Sequence, residues 1–403
     1  MIARAEGIEV GSEKLNIGVI GLGRGLVLTL PALRSHPRIR IAGGYDLRSD
    51  AVDKFAAEFG GIAYRSHAEM LDDPAVEAVY IATPHELHAR ITCEALEAGK
   101  HVLVEKPIGA TLEDGIEMVR ASEMAGNVLL IGPSHGFDRP VQEASKLIGS
   151  GRYGRVRMVT ALNFTDFMYR PRRPEELDET RGGGVVYSQA THQIDVVRNL
   201  VGQPVESIRA VTGNWDQTRG STGAYTALMT FREGAVANLT YSGYGHYDSD
   251  ELVGWISELG RKKDPASYGQ ARRSLNALQG NDELRAKLSR TYGGDSMAEQ
   301  DTPPFHEHFG FILVSCETAD FKILPTGIQV FGDSDREEIA VPPPEISRAG
   351  VIEEFVAAIA GEAKPIHDGR WGLETMACCA ALIESSKSKR DVRPAALIEA
   401  REK

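Results

Sequence analysis

A lysine that follows a predicted buried strand is the residue of this chain best placed for acid–base chemistry. The apolar run His101-Val102-Leu103-Val104 predicts the strand, and Glu105-Lys106-Pro107 comes directly after it. Pro107 restricts the backbone of Lys106 to an extended conformation and so fixes the direction of its side chain. A desolvated amine there would have a lowered pKa and could exchange a proton, whereas a surface lysine in a turn could not.

A histidine and an aspartate three residues apart form a second candidate group. Thr191 to Val201 predicts a helix, so His192 and Asp195 share one of its faces. A glycine-rich stretch, Arg181-Gly182-Gly183-Gly184, precedes the helix as a flexible approach segment. Because a histidine beside a carboxylate is the usual device for proton transfer, we predict that Asp195 orients His192. A helix-capping histidine with a surface acid would give the same pattern.

A glycine-rich turn near the start of the chain could bind a phosphate group. Leu15 to Ile20 predicts a buried strand, and Gly21-Leu22-Gly23-Arg24-Gly25 leads from it into a helix predicted for Leu26 to His36. Gly21 permits a tight turn, and Gly23 lets the backbone approach a pyrophosphate at the positive helix N-terminus. The third glycine of a dinucleotide fingerprint should fall at Leu26, so Gly25 comes one place early.

An acid at the end of the next strand completes the pattern of a dinucleotide site. Ile39 to Tyr45 predicts that strand, and Asp46 after it can accept hydrogen bonds from both hydroxyls of an adenosine ribose. The same carboxylate would repel a 2′-phosphate, so Asp46 favours NAD. Arg48 could offset part of this repulsion, which keeps NADP possible.

The elements that must position these residues alternate between strand and helix as far as about Gly151. This alternation predicts a parallel sheet with helices on both faces, in which ligands bind beyond the carboxyl ends of the strands. A further predicted strand, Ala78 to Ala82, adds its own carboxyl end to the site. The cofactor contacts predicted from these strand ends are Gly21, Gly23, Arg24, Asp46, Arg48, Thr83, Pro84, His88 and Glu105.

After about Gly151, β-rich runs with glycine-containing turns replace the alternation. They predict a mostly antiparallel sheet with helices on one face, and an uncovered apolar face predicts a homodimer or homotetramer. The predicted fold class is therefore α/β followed by α+β: an N-terminal extension 1–14, a Rossmann domain 15–150 and a substrate-binding and dimerisation domain 151–403. A polar stretch near 260–304 predicts an insert, helical around 282–288 and mobile elsewhere.

Composition limits the classes of function. The chain has 403 residues, a formal net charge of −12 and four cysteines without metal-type spacing, so we predict no metal site. The negative charge argues against nucleic acid or an anionic membrane as a partner and leaves a small-molecule substrate. No hydrophobic signal region or bilayer-length apolar run is present, and we expect a cytoplasmic location.

Taken together, the motifs resemble those of the glucose–fructose oxidoreductase/inositol dehydrogenase (Gfo/Idh/MocA) family from Leu15 to about Val392, with a break in the insert. The resemblance rests on Gly21-Leu22-Gly23-Arg24, Ala82-Thr83-Pro84 with His88, Glu105-Lys106-Pro107, Gly182-Gly183-Gly184 and His192-Gln193-Ile194-Asp195. It implies that Lys106 is the catalytic lysine, that His192 and Asp195 belong to the substrate and proton-transfer site, and that the second sheet mediates dimers. Ser188 and Ala190 stand where many relatives have aspartate and glycine, which removes one active-site carboxylate and indicates an unusual substrate.

Within the family, the long chain resembles the phthalate 4,5-cis-dihydrodiol dehydrogenases. That resemblance implies NAD(P)-dependent oxidation of a ring diol, with the cis-4,5-dihydrodiol of phthalate converted to 4,5-dihydroxyphthalate. A dehydrogenase for sugars or inositol and a non-catalytic NAD(P)-binding sensor are the alternatives.

A substrate with two carboxylates needs local cations in a protein of net charge −12. Arginine side chains can pair with a carboxylate through two hydrogen bonds, and a stretch stiffened by Pro171 and Pro174 carries several of them. The predicted substrate-binding residues are Tyr169, Arg170, Arg172 and Arg173. A solvated basic loop would have the same sequence.

Overall fold

The computed structural model describes residues 14–132, 134–179, 183–279, 282–297 and 301–402. Two sheets organise these residues, one in each half of the chain. Residues 1–13 of the predicted extension, and Arg181 and Gly182 of the predicted glycine-rich approach, lie outside the described residues.

The first sheet is parallel and has the strand order β3-β2-β1-β4-β5-β6. Its strands are β1 Leu15–Ile20, β2 Ile39–Tyr45, β3 Ile62–Ala63, β4 Ala78–Ile81, β5 His101–Val104 and β6 Leu129–Ile131. The order reverses between β1 and β4, and the crevice at such a reversal is where doubly wound sheets bind dinucleotides. The predicted Rossmann domain is confirmed.

Helices connect these strands and lead into the second half of the chain. They are α1 Arg24–Ser35, α2 Ser49–Phe59, α3 His67–Asp72, α4 His88–Glu97, α5 Leu112–Ala125 and α6 Arg139–Gly149. The buried side chains of α1 recur every three or four residues, which gives it the apolar stripe that packs on the sheet.

The second sheet has the strand order β14-β13-β12-β11-β7-β10-β9-β8. Its strands are β7 Val156–Phe164, β8 Val205–Gly213, β9 Ala224–Phe231, β10 Val236–Ser242, β11 Phe311–Cys316, β12 Ala319–Leu324, β13 Gly327–Gly332 and β14 Arg336–Ala340. Neighbouring strands run antiparallel except β7 and β10, which are parallel. The prediction of a mostly antiparallel second sheet is confirmed.

One face of the second sheet is covered by helices. Helix α7 (Thr191–Val201) is buried along its whole length against strand residues such as Val159. On the opposite face, Met158 and Leu228 are 45% and 48% exposed. Alternation along the strands thus separates a packed face from an open one.

After β14 the chain returns to the first domain. It forms α10 Ala349–Ile359, α11 Gly369–Ser388 and α12 Pro394–Glu402. Phe355 of α10 joins the core around α1, and Leu373 of α11 joins the core around α5. The C-terminal helices therefore connect the two domains through packing contacts, in addition to the chain segment that links them.

The polar insert contains the helix predicted around 282–288, and it also has a second helix that the sequence analysis did not predict. It forms α8 Gln270–Asn276 and α9 Asp282–Leu288. Tyr292, just beyond α9, is 4% exposed and packs edge-on against Phe55 of the first domain, with ring centroids 5.2 Å apart. A buried aromatic anchor of this kind holds a segment that composition alone assigns to a loop.

Candidate active site

The glycine turn after β1 fits a dinucleotide phosphate. Gly21 has φ +93°, and a Cβ on it would lie 2.7 Å from the carbonyl oxygen of Ala82. Gly23 caps α1 without a side-chain hydrogen bond, so the first amides of the helix stay available to an anion. Arg24 forms no ion pair with a described residue, and burial followed by the charge of Arg290 lowers the pKa of Arg24 to about 10.

Gly25 packs against the side chain of Glu105. A Cβ on Gly25 would lie 2.6 Å from Oε1 of Glu105, and that oxygen accepts a 2.7 Å hydrogen bond from the hydroxyl of Tyr80. Burial raises the pKa of Glu105. The carboxyl group therefore packs beneath the glycine turn and supports its shape.

Asp46 and Arg48 form a closed network at the end of β2. Asp46 accepts hydrogen bonds from the amides of Leu22 at 2.7 Å and Arg48 at 2.9 Å. All five N–H donors of the Arg48 guanidinium are used, by Asp46, the carbonyls of Leu22 and Tyr292, and the hydroxyl of Thr291. Arg48 is therefore not free to pair with a 2′-phosphate, which favours NAD.

The loop after β4 is held by His88. Its ring nitrogens lie 3.0 Å from the carbonyl oxygen of Thr83 and 2.9 Å from that of Pro107. This histidine, predicted to contact the cofactor, instead ties two strand-end loops together. The hydroxyl of Thr83, just before Pro84, is buried without a hydrogen-bond partner among the described residues, so a ligand could satisfy it.

Lys106 lies at the centre of the site. Its Nζ donates a 3.0 Å hydrogen bond to the carbonyl of Ser188, in the π-helical turn Val186–Ala190 that precedes α7. Burial lowers the pKa of Lys106 to about 8, with Glu105 opposing the shift and the charge of Arg348 adding to it. An amine with this pKa can act as a base near neutral pH.

His192 lies within the electrostatic reach of Lys106. Its Nδ1 is 3.3 Å from the hydroxyl of Ser134, and its ring packs edge-on against His135 with centroids 4.8 Å apart. Burial, followed by the charge of Lys106, lowers the pKa of His192 well below its ordinary value. The imidazole is therefore neutral at neutral pH and is a weaker base than Lys106.

Asp195 does not take up the predicted pairing with His192. Its carboxylate accepts hydrogen bonds from the amide of Gly136 at 3.1 Å and from Nε1 of Trp371 at 2.5 Å. Nε2 of His367 is 3.7 Å away. Asp195 thus joins α7 to the loop after β6 and to α11, behind Lys106, where both residues line one small cavity.

Three of the four predicted substrate-binding residues, Tyr169, Arg170 and Arg173, keep no unpaired buried side-chain donor in the described part of the chain. Arg170 donates to Glu258 at 3.1 Å and to Asp166 at 3.0 Å, and these carboxylates raise its pKa although burial opposes the shift. Arg173 pairs with Glu175 at 3.3 Å. Tyr169 donates to Asp216 at 3.1 Å.

Arg172 differs from its two arginine neighbours. Its guanidinium stacks 3.4 Å from the ring centroid of Phe167, and Nη2 donates to the Phe167 carbonyl at 2.9 Å. Its Nε is buried without a hydrogen-bond partner among the described residues. Burial lowers the pKa of Arg172 to about 10. Of the three arginines, Arg172 alone keeps an unused buried donor in the described part of the chain.

A polar cleft of 730 Å³ opens beside His192, and the sequence analysis missed its charged residues. His135 and Asp138 are bonded at 2.7 Å, and Glu307 pairs with Arg348 at 3.3 Å. The ligand atoms of His135, Asp138 and Glu307 lie within 4.8 Å of one another, but these pairings already use them. The position of His135 after β6 could have identified it by the strand-end rule. Nothing in the sequence pattern marks Glu307 or Arg348.

Comparison with known proteins decides the family. An oxidoreductase-family model with an NAD-binding Rossmann fold matches residues 15–133, and a GFO/IDH/MocA C-terminal domain model matches residues 141–254. The 1-carboxy-3-chloro-3,4-dihydroxycyclohexa-1,5-diene dehydrogenase of Comamonas testosteroni is 42% identical over 378 residues, covering 93% of this chain and 95% of that protein. The chain belongs to the Gfo/Idh/MocA oxidoreductase family.

Solved structures share the fold of this Gfo/Idh/MocA member. A structure from Bordetella bronchiseptica RB50 is 39% identical, with a TM-score of 0.89 over 94% of this chain and all of that one. The WlbA dehydrogenase of Bordetella pertussis, in complex with NADH and UDP-GlcNAcA, is 22% identical, with a TM-score of 0.66 over 94% of this chain and 99% of that one.

The predicted family and the predicted NAD-binding Rossmann domain are confirmed, and the chain is an oxidoreductase. None of the described helices has the length and apolar character needed to span a membrane.

Proposed function

We propose that this enzyme oxidises a carboxylated ring cis-diol with NAD, and that the cis-4,5-dihydrodiol of phthalate is its first candidate substrate. The observation that carries the proposal is the buried Nε of Arg172, which has no hydrogen-bond partner among the described residues and belongs to a side chain whose charge helps to lower the pKa of Lys106. The Comamonas relative, named for a carboxylated dihydroxycyclohexadiene, supports the same substrate class. A cytoplasmic location is part of the proposal.

Lys106 is the proposed base. NAD, when bound, supplies the acceptor for the hydride that leaves the carbinol carbon. The Lys106 amine takes the hydroxyl proton, and its contact with the Ser188 carbonyl holds Nζ in position. His192, which is neutral, can form a hydrogen bond to the diol without adding charge. The resulting hydroxyketone becomes aromatic when the proton on its remaining sp3 ring carbon is transferred to the ketone oxygen, and this aromatisation pulls the reaction towards oxidation.

Arg172 is the proposed carboxylate anchor. Stacking on Phe167 fixes the plane of its guanidinium, and a fixed fork matches a carboxylate geometrically. Ser188 donates to the carbonyl of Gly184 at 2.6 Å and carries no charge. A carboxylate at position 188 would repel an acidic substrate, so its absence supports the proposal.

Two alternatives predict different substrates. A sugar or inositol dehydrogenase would oxidise uncharged polyols faster than acidic diols. A cofactor-binding sensor would bind NAD and oxidise neither class. The loss of the usual carboxylate at Ser188 favours the acidic diol over both alternatives.

The test is a substrate comparison by the absorbance of NADH at about 340 nm. The substrates are the cis-dihydrodiols of phthalate, benzoate and benzene, together with inositol and glucose. We expect the highest kcat/KM with a carboxylated diol. Faster oxidation of inositol or glucose, or no oxidation of any diol, would contradict the proposal.

A further inference from the structure

Helix α9 of the polar insert presents two charged residues to the loop that carries Arg172. Glu283 and Lys287 are four residues apart and so share one face of the helix. Glu283 accepts hydrogen bonds from Arg219 at 2.7 Å and from the amide of Arg172 at 2.9 Å. Lys287 donates to Glu176 at 2.9 Å. The insert is thus docked beside the proposed carboxylate anchor.

Glu176 is the carboxylate that the cations of this contact share. It lies 2.9 Å from Lys287, 3.6 Å from Arg173 and 3.7 Å from Arg172. Glu175 pairs with Arg173, and Glu283 is occupied by Arg219. Among the described residues, Arg172 and Lys287 therefore share one carboxylate partner.

The two cations that share Glu176 are buried. The side chains of Arg172 and Lys287 are only 9% and 19% exposed. Burial lowers the pKa of Lys287 to about 8, with Glu176 opposing the shift and the charge of Arg172 adding to it. The charges of Arg172 and Lys287 also lower the pKa of Lys106. Because two buried cations share one carboxylate, and Nε of Arg172 has no hydrogen-bond partner among the described residues, a carboxylate from outside would be stabilised here.

We infer that Lys287 and Arg172 together hold a carboxylate of the ring-diol substrate, so that the insert supplies a residue that determines specificity. This inference rests on the proposed function and names the group on the substrate that is recognised. It also assigns a role to part of the chain that lies beyond both family models, which end at residues 133 and 254.

A simpler role for Lys287 is to dock α9, and substrate selectivity separates the two roles. Lys287→Gln keeps the length of the side chain and removes its charge, whereas Lys287→Arg keeps the charge. Arg285→Gln is the matched control, since Arg285 lies on the same helix with its side chain 79% exposed. A docking residue would change the KM values of acidic and uncharged diols alike.

The experiment measures KM for the cis-dihydrodiols of phthalate, benzoate and benzene in each variant. We expect Lys287→Gln to raise KM for the acidic diols about tenfold and KM for the benzene diol less than about twofold, with KM for NAD unchanged. Lys287→Arg should keep most of the affinity for the acidic diols, and Arg285→Gln should match the wild type. Equal changes for acidic and uncharged diols, or no change, would overturn the inference.

A binding measurement keeps this inference separate from the proposed function. Calorimetric titration of phthalate into the NAD-saturated protein reports the carboxylate site without turnover. We expect Lys287→Gln to weaken phthalate binding about tenfold. If the wild type oxidises no diol but binds phthalate through Lys287, the proposed function fails and the carboxylate site stands. If phthalate binds both proteins equally, or binds neither, the carboxylate site fails.

Discussion

The guanidinium of Arg48 donates a 2.8 Å hydrogen bond to the hydroxyl of Thr291, which joins the end of the second Rossmann strand to the polar insert. Tyr292, the residue after Thr291, donates a hydrogen bond from its amide to the carbonyl of Leu22 at 3.1 Å, inside the glycine turn. The insert therefore contacts the residues predicted to bind the adenosine ribose.

Asp46→Ser should change cofactor preference. Removing the carboxylate takes away the acceptor for the ribose hydroxyls and the repulsion of a 2′-phosphate, and it frees a donor of Arg48. We expect KM for NAD to rise about tenfold and KM for NADP to fall. The exposed Asp53, on α2, gives a charge-matched control in Asp53→Ser. A wild type that already prefers NADP would contradict the role of Asp46.

Tyr292→Ala should destabilise the protein. The ring packs against Phe55 and its hydroxyl bonds Glu58, so truncation leaves a cavity between the insert and α2. We expect the free energy of unfolding, from urea denaturation, to fall by about 3 kcal/mol. Tyr268→Ala in the same insert removes a ring that is 66% exposed and should change it little. Equal effects of the two substitutions would show that the insert is not anchored by Tyr292.

Lys106→Met should abolish turnover and spare cofactor binding. The amine is the proposed base, whereas the phosphates are expected at the amides of α1. We expect kcat to fall about a thousandfold and the Kd for NAD to change less than about twofold. Lys146→Met, at a lysine exposed on α6, is the control. A variant that retains most of its kcat would remove Lys106 from catalysis.

The pH dependence should report the proton on Lys106. The ammonium form cannot accept a proton, so kcat for diol oxidation should rise with pH and level off above about 8. The charged and titratable groups that interact with this amine are Glu105, Arg348, Arg172, Lys287, His85, His88, His192 and Cys379. Glu105→Gln removes the group that raises the pKa of Lys106, so the rising limb should move to lower pH. If the pH dependence of kcat does not shift in Glu105→Gln, the titrating group is a residue other than Lys106.

The open face of the second sheet should mediate self-association. Leu228→Glu puts a charge among its exposed apolar side chains and should convert a dimer or tetramer into monomers, measured by light scattering. Met124→Glu, at an 89% exposed position on α5 of the first domain, should leave the mass unchanged. A monomeric wild type at micromolar concentration would exclude the predicted interface.

The sequence predicts the first domain well because the signals that define its strands, turns and helices lie within short stretches of the chain. Apolar strands, glycine turns and amphipathic helices alternate, and the strand-end rule brings Gly21, Asp46 and Lys106 to one crevice. The elements it misses carry weaker local signals. Strand β14, Arg336–Ala340, is an exposed edge with three consecutive charged residues and little alternation.

The partners of charged side chains could not be predicted because they are set by tertiary packing. Asp195 bonds Trp371, which is 176 positions away, rather than His192 on its own helix face. Helical spacing predicts which residues share a face, but not which element packs on that face. Likewise Lys287 contacts Glu176, which lies 111 positions away in the chain. Lys287 belongs to the insert, where the sequence has no regular hydrophobic pattern that would predict a partner.

Within five residues of one another, Lys287 and Tyr292 attach the insert to both domains, to Glu176 in the second and to Phe55 in the first. A motion that separates the two domains would therefore break a contact on one side of the insert. Because Tyr292 also donates its amide to the carbonyl of Leu22, the insert links the position of the second domain to the glycine turn of the first.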